Sequence, residues 1–307
     1  MARAELRGSL VPLVTPFKGG QFDEPAFRDL IEWQIENGSH GLSVTGSTGE
    51  PSALSLEERE YVIEAAVRAV RRRVPVIAGT GTNNFEETLR LTRFAERAGA
   101  DAALVVVPYY NRPTQQGLYQ YFTALAEQVS IPLIIYNIPG RTAVNMEPDT
   151  VARVARERRN VIGVKEANRD FEQVSRLFDR CGRDFLVYSG IEALCFPLLA
   201  LGGAGYISAT GNVLPRQCAE LYNLVMAGRW LEARDLHYQM LAMNEALFLE
   251  TNPGPVKYVL SLMGRIQPEL RLPLVLPSEE NQRRLRAVAE RYGLIPAAAP
   301  AAGNGAG

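Results

Sequence analysis

The sequence contains few of the residues from which metal sites and disulfides are built. Of its 307 residues, three are cysteines and two are histidines. Cys181, Cys195 and Cys218 are odd in number and show no CxxC spacing, which predicts reduced thiols and neither disulfides nor zinc ligands. His40 and His237 lie far apart in the chain and have no ligand pattern around them. We therefore expect no metal site.

Long apolar runs and an excess of charge are also absent. No stretch approaches the roughly 20 apolar residues of a membrane span. Residues 1–8 are charged, whereas a signal peptide would be apolar there. The net charge of −1 provides no basic field for nucleic acid. These features predict a cytoplasmic protein that binds neither membranes nor nucleic acid.

The sequence does show a regular alternation of short apolar runs and longer helical segments. Most of the runs are continuously apolar, as expected for strands buried on both faces. The eight predicted strands are Leu10–Val14, Gly41–Val44, Val74–Ala78, Ala102–Val107, Leu133–Tyr136, Val161–Val164, Phe185–Tyr188 and Gly205–Ile207. A helix is predicted after each strand, including one that starts at a capping box over Ser55–Glu58. Eight such units predict an α/β fold, a (β/α)8 TIM barrel, and the lack of a glycine-rich dinucleotide fingerprint argues against a Rossmann fold.

The chain continues beyond the eighth strand for longer than one barrel helix requires. We predict the barrel over residues 1–214 and a C-terminal helical extension packed on it over residues 215–295. Residues 296–307 are Ala, Pro and Gly apart from Asn304, which predicts a disordered tail.

The residues that follow each strand matter most, because a TIM barrel carries its active site at the carboxyl ends of its strands. We expect hydroxyls, the amine of Lys165 and the guanidinium of Arg141 to meet at this end, without a histidine or a pair of carboxylates. The segments are Thr45–Glu50, Pro108–Pro113, Tyr136–Thr142, Lys165–Ala167, Ser189–Gly190 and Ser208–Asn212.

Lys165 is the most specific chemical signal among them. It directly follows an apolar strand, where burial favours a neutral amine that can attack a carbonyl and form a Schiff base. Alternatively, its side chain could extend out of the barrel and pair with Glu166. Tyr136, at the end of the preceding strand, favours the Schiff base because a phenol can shuttle protons where no histidine is available.

Two further features suit carboxylates. The turn over residues 46–49 offers backbone N–H groups and the hydroxyls of Ser47 and Thr48, although a glycine-rich turn is often only a loop. The guanidinium of Arg141 suits a carboxylate on a second substrate, and a surface salt bridge is the alternative.

Together these motifs resemble those of the dihydrodipicolinate synthase/N-acetylneuraminate lyase superfamily of class I aldolases. The resemblance runs from about residue 8 to about residue 295. It rests on G-S-T-G-E at 46–50, P-Y-Y-N-R-P at 108–113, Y-N-I-P-G-R-T at 136–142, V-K-E-A at 164–167 and N-P-G-P-V-K at 252–257. It implies a cofactor-free lyase that acts on pyruvate and a second small molecule. It also implies extra C-terminal helices and a homotetramer built from tight dimers.

The resemblance implies a role for each catalytic residue. Lys165 would form the Schiff base with the C2 carbonyl of pyruvate. Tyr136 would shuttle protons and contact the pyruvate carboxylate. Ser47 and Thr48 would hold that carboxylate, and one of the two hydroxyls would join a relay to Tyr110, which the neighbouring subunit contributes.

The substrate-binding residues follow from the same resemblance. Gly190 and Ile207 would line the pyruvate pocket, and Arg141 would bind the carboxylate of a semialdehyde. Retention of Arg141 argues against the sialate and keto-sugar lyases, which generally have a non-basic residue at this position. Aspartate semialdehyde is the favoured partner, as in the 4-hydroxy-tetrahydrodipicolinate synthase reaction of lysine biosynthesis. Succinate semialdehyde, as in a 2,4-dihydroxyhept-2-enedioate aldolase, is the alternative, because Ile191 stands where lysine-pathway enzymes usually have an acidic residue.

Two other classes of protein stay open. A non-catalytic barrel that binds pyruvate-like ligands would be expected to lack Lys165 or Tyr136, and both are present. A metal-dependent class II aldolase would need histidine and carboxylate ligands at the barrel mouth, and the count of two histidines argues against it.

The resemblance also bears on feedback inhibition by lysine. Asn83, Glu87 and Tyr109 match the pattern of members that bind lysine at the dimer interface, whereas Pro51 and Leu56 do not. We expect weak or absent inhibition by lysine.

Overall fold

The computed structural model describes residues 6–297, and within them eight parallel strands close a barrel. The strands are β1 (Gly8–Pro12), β4 (Gly41–Val44), β5 (Val76–Gly79), β6 (Ala102–Val106), β7 (Leu133–Asn137), β8 (Val161–Glu166), β9 (Leu186–Ser189) and β10 (Gly205–Ile207). Each pairs with the next in this order, and β10 returns to pair with β1. The predicted TIM barrel is therefore confirmed. A hairpin of β2 (Phe17–Lys18) and β3 (Gln21–Phe22), which was not predicted, follows β1.

The barrel strands bury both of their faces. Along β7, Ile134 and Tyr136 belong to one apolar cluster, while Leu133 and Ile135 belong to the larger one that includes helix residues. This alternation follows from the two-residue period of a strand. Burying each Val, Leu or Ile side chain contributes about 1.5–3 kcal/mol relative to exposure, which explains why continuous apolar runs mark these strands.

Twelve α-helices accompany the strands in the described part of the chain. They are α1 (Glu24–Glu36), α2 (Leu56–Val70), α3 (Phe85–Ala98), α4 (Gln115–Glu127), α5 (Pro139–Thr142), α6 (Pro148–Glu157), α7 (Phe171–Cys181), α8 (Cys195–Ala200), α9 (Pro215–Met226), α10 (Trp230–Ala246), α11 (Gly254–Leu262) and α12 (Glu279–Arg291). The predicted capping box of α2 is confirmed, since Ser55 Oγ accepts from Glu58 N at 3.1 Å and Glu58 Oε2 accepts from Ser55 N at 2.9 Å. No helix within residues 6–297 combines the length and the apolar character needed to cross a membrane.

The helices after β10 confirm the predicted C-terminal addition to the barrel. Helix α9 packs against β1 and α8, and the later helices share a separate apolar core that contains Met243, Leu260 and Leu285. The division of the chain at residue 214 stays a prediction. The tail predicted over residues 296–307 lies outside the described residues apart from Pro296 and Ala297.

Candidate active site

Lys165 and Tyr136 lie side by side at the carboxyl ends of β8 and β7. They are register partners on the two strands, and Lys165 Nζ lies 4.2 Å from the centroid of the Tyr136 ring. Both are buried, with 6% and 5% of their surface exposed. Lys165 was predicted to follow its strand, but β8 continues to Glu166, so Lys165 is a strand residue. The strand geometry thus holds the amine against the phenol ring.

The alternative partner for Lys165, Glu166, is engaged elsewhere. Its carboxyl group accepts from Asn137 Nδ2 at 3.0 Å, from Gln173 Nε2 at 3.0 Å and from Asn168 N at 2.8 Å. Burial raises the pKa of the Glu166 carboxyl, and the hydrogen bonds from Asn137 and Gln173 oppose that rise. Lys165 therefore does not extend outward to pair with Glu166.

Gly190 borders Lys165 from the end of β9. A Cβ atom at this position would lie 2.9 Å from Lys165 Cε and 2.9 Å from Ala167 Cβ, so a side chain would collide with the lysine. Ile207, at the end of β10, is 1% exposed and belongs to the same apolar cluster as Tyr136. The structure thus brings both predicted pocket residues to the Lys165–Tyr136 region.

Glu192 is a site residue to which the sequence assigned no role. It is buried and accepts from Ala209 N at 2.9 Å and Ser208 Oγ at 3.3 Å, beyond the end of β10. Burial raises the pKa of Glu192, and the charge of Lys165 acts in the opposite direction. In the sequence, the only sign that Glu192 belongs to the site is that it is an acidic residue close to the end of a predicted strand.

Thr48 and Arg141 are joined through Asn252, which was named only as part of a motif. Asn252 Nδ2 donates to Thr48 Oγ1 at 2.9 Å, and Arg141 Nη2 donates to the Asn252 carbonyl oxygen at 3.1 Å. Thr48 is buried, whereas Arg141 is exposed. The predicted alternative for Arg141, a surface salt bridge, is absent from the ion pairs of residues 6–297; Asp149, for example, pairs with Arg180 at 3.0 Å.

A cavity of about 270 Å³ lies beside this hydrogen-bonded group. Its lining includes Ser47, Arg141 and Asn252, together with Tyr109 and Arg59. Arg59 reaches it from α2, donates to the Gly79 carbonyl oxygen at 3.0 Å, and has its pKa lowered to about 10 by burial. Lys165 and Tyr136 do not line this cavity. Its polar groups suit a small anionic molecule.

The 46–50 turn is anchored by a contact that the sequence did not reveal. Lys257 Nζ donates to Glu50 Oε1 at 2.6 Å and to the Thr15 carbonyl oxygen at 2.8 Å. The side chains of Lys257 and Glu50 are both fully buried. Both residues fall in the motifs quoted above, but nothing in the local pattern indicates that they meet.

Tyr110 is the predicted catalytic residue that the structure does not bring to the others. It is 90% exposed and has a positive φ of 72°. It does not line the cavity of its own chain, although the adjacent Tyr109 does. Its side chain is therefore free to contact another molecule.

The part of the chain from residue 6 to residue 297 holds no group of three or more His, Cys, Asp or Glu side chains placed to bind a metal ion. The donors at the barrel mouth are hydroxyl, amide, amine and guanidinium groups. This set suits carbonyl and carboxylate chemistry.

Comparison with known proteins assigns the chain to a family. The model of the dihydrodipicolinate synthetase family matches residues 5–292. A Syntrophobacter fumaroxidans protein named 4-hydroxy-tetrahydrodipicolinate synthase is 52% identical over 290 residues, which cover 94% of this chain and 99% of that protein. A Thermus thermophilus protein of the same name is 51% identical over 291 residues, which cover 94% and 97%. The crystal structure of dihydrodipicolinate synthase from Aquifex aeolicus aligns with a TM-score of 0.93 at 45% identity and covers 94% of this chain and 98% of that one.

Proposed function

The chain belongs to the dihydrodipicolinate synthetase family, and we propose that it is a 4-hydroxy-tetrahydrodipicolinate synthase that condenses pyruvate with aspartate semialdehyde. The observation that carries the proposal is the buried Lys165 amine placed 4.2 Å from the Tyr136 ring at the barrel mouth. The relatives that are about half identical over nearly the whole chain bear the same name.

The first chemical step uses Lys165 as a nucleophile. Its neutral amine attacks C2 of pyruvate, a C–N bond forms, and the carbonyl oxygen leaves as water to give a protonated imine. Tyr136 supplies and recovers the protons that these changes require, because its hydroxyl belongs to the ring on which the amine packs. Gly190 leaves the space that the bound pyruvate needs, and Ile207 lines the same pocket.

The two carboxylates are held by different groups. Ser47 and Thr48 bind the pyruvate carboxylate, and the hydrogen bond from Asn252 fixes the Thr48 hydroxyl. Arg141 binds the carboxylate of the aldehyde, and its bond to the Asn252 carbonyl oxygen aims the guanidinium at the cavity. A bidentate arginine contact of this kind selects a carboxylated aldehyde over a sugar.

The site is completed between subunits. Tyr110 from a neighbouring subunit extends the proton relay that begins at Ser47 and Thr48. Its exposure of 90% and its left-handed backbone fit a residue that is held outward for a partner. The assembly is a homotetramer of tight dimers, needs no cofactor and works in the cytoplasm.

The second candidate is an aldolase that uses succinate semialdehyde. Ile191 supports it, because an apolar residue after the Ser189–Gly190 pair offers nothing to the amino group of aspartate semialdehyde. The names of the relatives support the synthase. The synthase and the aldolase differ only in the aldehyde substrate. Reaction rates with pyruvate and each of the two aldehydes therefore decide between them.

Reductive trapping tests the chemistry. The chain has three lysines, Lys18, Lys165 and Lys257. With pyruvate and sodium borohydride, we expect one adduct of about 72 Da, which is pyruvate minus water plus two hydrogens, on the Lys165 peptide. Lys257 serves as an internal control, because it is buried against Glu50. Absence of an adduct from the folded protein, or an adduct that persists in Lys165→Met, would refute the Schiff-base mechanism and leave a pyruvate-binding barrel as the better description.

A further inference from the structure

Directly beyond the Tyr136–Lys165 pair, β7 and β8 carry a second registered pair, Asn137 and Glu166. Successive strand residues point to opposite faces, so this pair faces away from the barrel interior while the first faces into it. Asn137 is fully buried and Glu166 is 3% exposed. The two pairs thus occupy consecutive positions on β7 and β8. Contacts that hold Asn137 and Glu166 in place therefore also fix the backbone positions of Tyr136 and Lys165.

Two further amide side chains hold the outward pair in place. Asn145 Oδ1 accepts from Asn137 Nδ2 at 2.8 Å and from Gln173 Nε2 at 3.1 Å. Asn145 Nδ2 in turn donates to Gln173 Oε1 at 2.8 Å. Gln173 Nε2 also donates to Glu166 Oε2 at 3.0 Å, which closes the ring of contacts. We call Asn137, Asn145, Glu166 and Gln173 the amide–carboxylate clamp.

The orientation of the clamp is determined by the backbone. Asn137 Oδ1 accepts from Met146 N at 3.0 Å, so the Nδ2 group of Asn137 must be the end that faces Glu166. Asn168 N donates to the other side of the same carboxyl at 2.8 Å. Every hydrogen-bond partner of Glu166 is therefore a donor, an arrangement that suits a carboxylate and offers no acceptor for a carboxyl proton.

The charge of this carboxylate has no cation beside it. Its partners are neutral amides, and none of the ion pairs within residues 6–297 includes Glu166. Lys165 is the next residue back along the strand. An uncompensated buried charge is costly, and the hydrogen bonds from Asn137, Gln173 and Asn168 are what oppose protonation of this carboxyl. A protonated imine on Lys165 would be a cation one residue away along β8, on the opposite face of the strand.

We propose that the amide–carboxylate clamp is a positioning device for the reaction, in which Glu166 sets the placement of Lys165 against Tyr136 and stabilises the positive charge of the imine. The inference rests on the proposed Schiff-base function. Glu166 itself touches no substrate, because it lies on the opposite face of β8. Glu192, a buried carboxyl on a different loop, is influenced by the charge of Lys165 and is not part of the clamp.

The test is the rate of pyruvate-dependent trapping at Lys165 in variants of the full-length chain. Glu166→Gln keeps the shape and removes the charge, and we expect the trapping rate and kcat to fall at least about tenfold. The double variant N137D/E166Q moves the carboxylate across the registered pair, where Met146 N can still donate to it. We expect it to recover the rate to within about threefold of wild type, which a purely structural role of Glu166 does not predict.

Val164→Ala is the matched control. Val164 precedes Lys165, faces the helices and is fully buried, so its truncation loosens β8 without altering the clamp charge. We expect V164A to lower the melting temperature and leave the trapping rate within about twofold of wild type. If E166Q does not fold, Gln173→Met removes one donor and keeps the carboxylate, and we expect a rate reduced about threefold.

Three results would overturn the inference while leaving the proposed function intact. The first is a folded E166Q that is trapped at the wild-type rate. The second is a folded N137D/E166Q that is trapped no faster than E166Q. The third is a V164A that is trapped as slowly as E166Q. Failure of the wild-type protein to form any adduct would instead refute the proposed function, so the two failures are distinguishable.

Discussion

Lys257 donates to Glu50 across 207 positions of the chain, with an Nζ–Oε1 distance of 2.6 Å and neither side chain exposed. Glu50 ends the turn that contains Ser47 and Thr48 and has a left-handed backbone with φ of 54°. The ion pair therefore fastens the turn to helix α11 and, through it, locates the two hydroxyls of the site. A buried ion pair is weak evidence of net stabilisation, but the loss of one partner leaves an unpaired buried charge.

Replacement of Lys257 by methionine is expected to lower the free energy of unfolding by about 3–5 kcal/mol, because Glu50 would stay buried without a cation. The KM for pyruvate should rise as the turn loosens. Urea denaturation and initial rates measure the two effects. The control is E50Q/K257M, which leaves no charge behind and should recover part of the lost stability. A loss of less than about 1 kcal/mol in K257M would show that the ion pair does not anchor the turn.

Tyr110 offers a test of catalysis between subunits. Tyr110→Phe removes the hydroxyl of the proposed relay and should lower kcat about 100-fold or more, whereas Tyr109→Phe serves as the neighbouring control. If Tyr110 acts on the partner's site, mixing inactive Y110F and K165M subunits should restore about one quarter of wild-type activity, since half of the dimers are mixed and each has one complete site. Subunits that exchange and recover no activity would place Tyr110 in the site of its own chain.

Gly190→Ala tests how closely Lys165 is packed. The added methyl group would lie 2.9 Å from Lys165 Cε, so the lysine must move. We expect a cost of about 1–3 kcal/mol in stability and a trapping rate lowered about tenfold. Gly140→Ala is the matched control, because no heavy atom lies within 4 Å of its added Cβ. Equal trapping rates in the two variants would mean that Gly190 does not confine the amine.

Inhibition by lysine is expected to be weak or absent. Pro51, which lines the cavity together with Tyr109, and Leu56 are apolar, so two positions of the lysine-binding pattern offer no polar side chain to the amino acid. Initial rates with added lysine, at constant ionic strength, check this expectation. An inhibition constant below about 1 mM, equivalent to about 4 kcal/mol of binding free energy, would contradict it.

Glu192 should make stability depend on pH. Burial raises its pKa above the ordinary value of 4.5, so the folded protein binds this proton more tightly than the unfolded chain. Its stabilising effect is therefore complete below about pH 4.5 and is lost as the pH rises through the folded pKa. Relative to Glu192→Gln, the wild-type protein should lose about 1.4 kcal/mol for each unit of pKa shift between about pH 4 and pH 8. Urea denaturation across this range measures the stability of the wild type relative to Glu192→Gln, and a relative stability that stays constant or rises with pH would contradict the assignment.

The barrel and the meeting of Lys165 with Tyr136 at its mouth could be predicted from the sequence because both depend on local patterns. Continuous apolar runs mark strands that bury both faces, and the ends of such strands identify the barrel mouth. Lys165 and Tyr136 each stand at such an end, so their meeting follows once the strands are assigned. The β2–β3 hairpin was missed because each strand has two residues, too few to show a period.

The contacts that hold the site residues in place could be identified only from the tertiary structure. The bonds of Asn252 to Thr48 and of Lys257 to Glu50 join positions more than 200 residues apart. No local period encodes such contacts, because they depend on where the C-terminal helices pack against the barrel. The contacts of Glu166 also depend on the fold, although its alternative partner Lys165 is adjacent in the sequence. Its identity is plain from the sequence, but whether it pairs with Lys165 or turns to Asn137 depends on the face of β8 from which it projects.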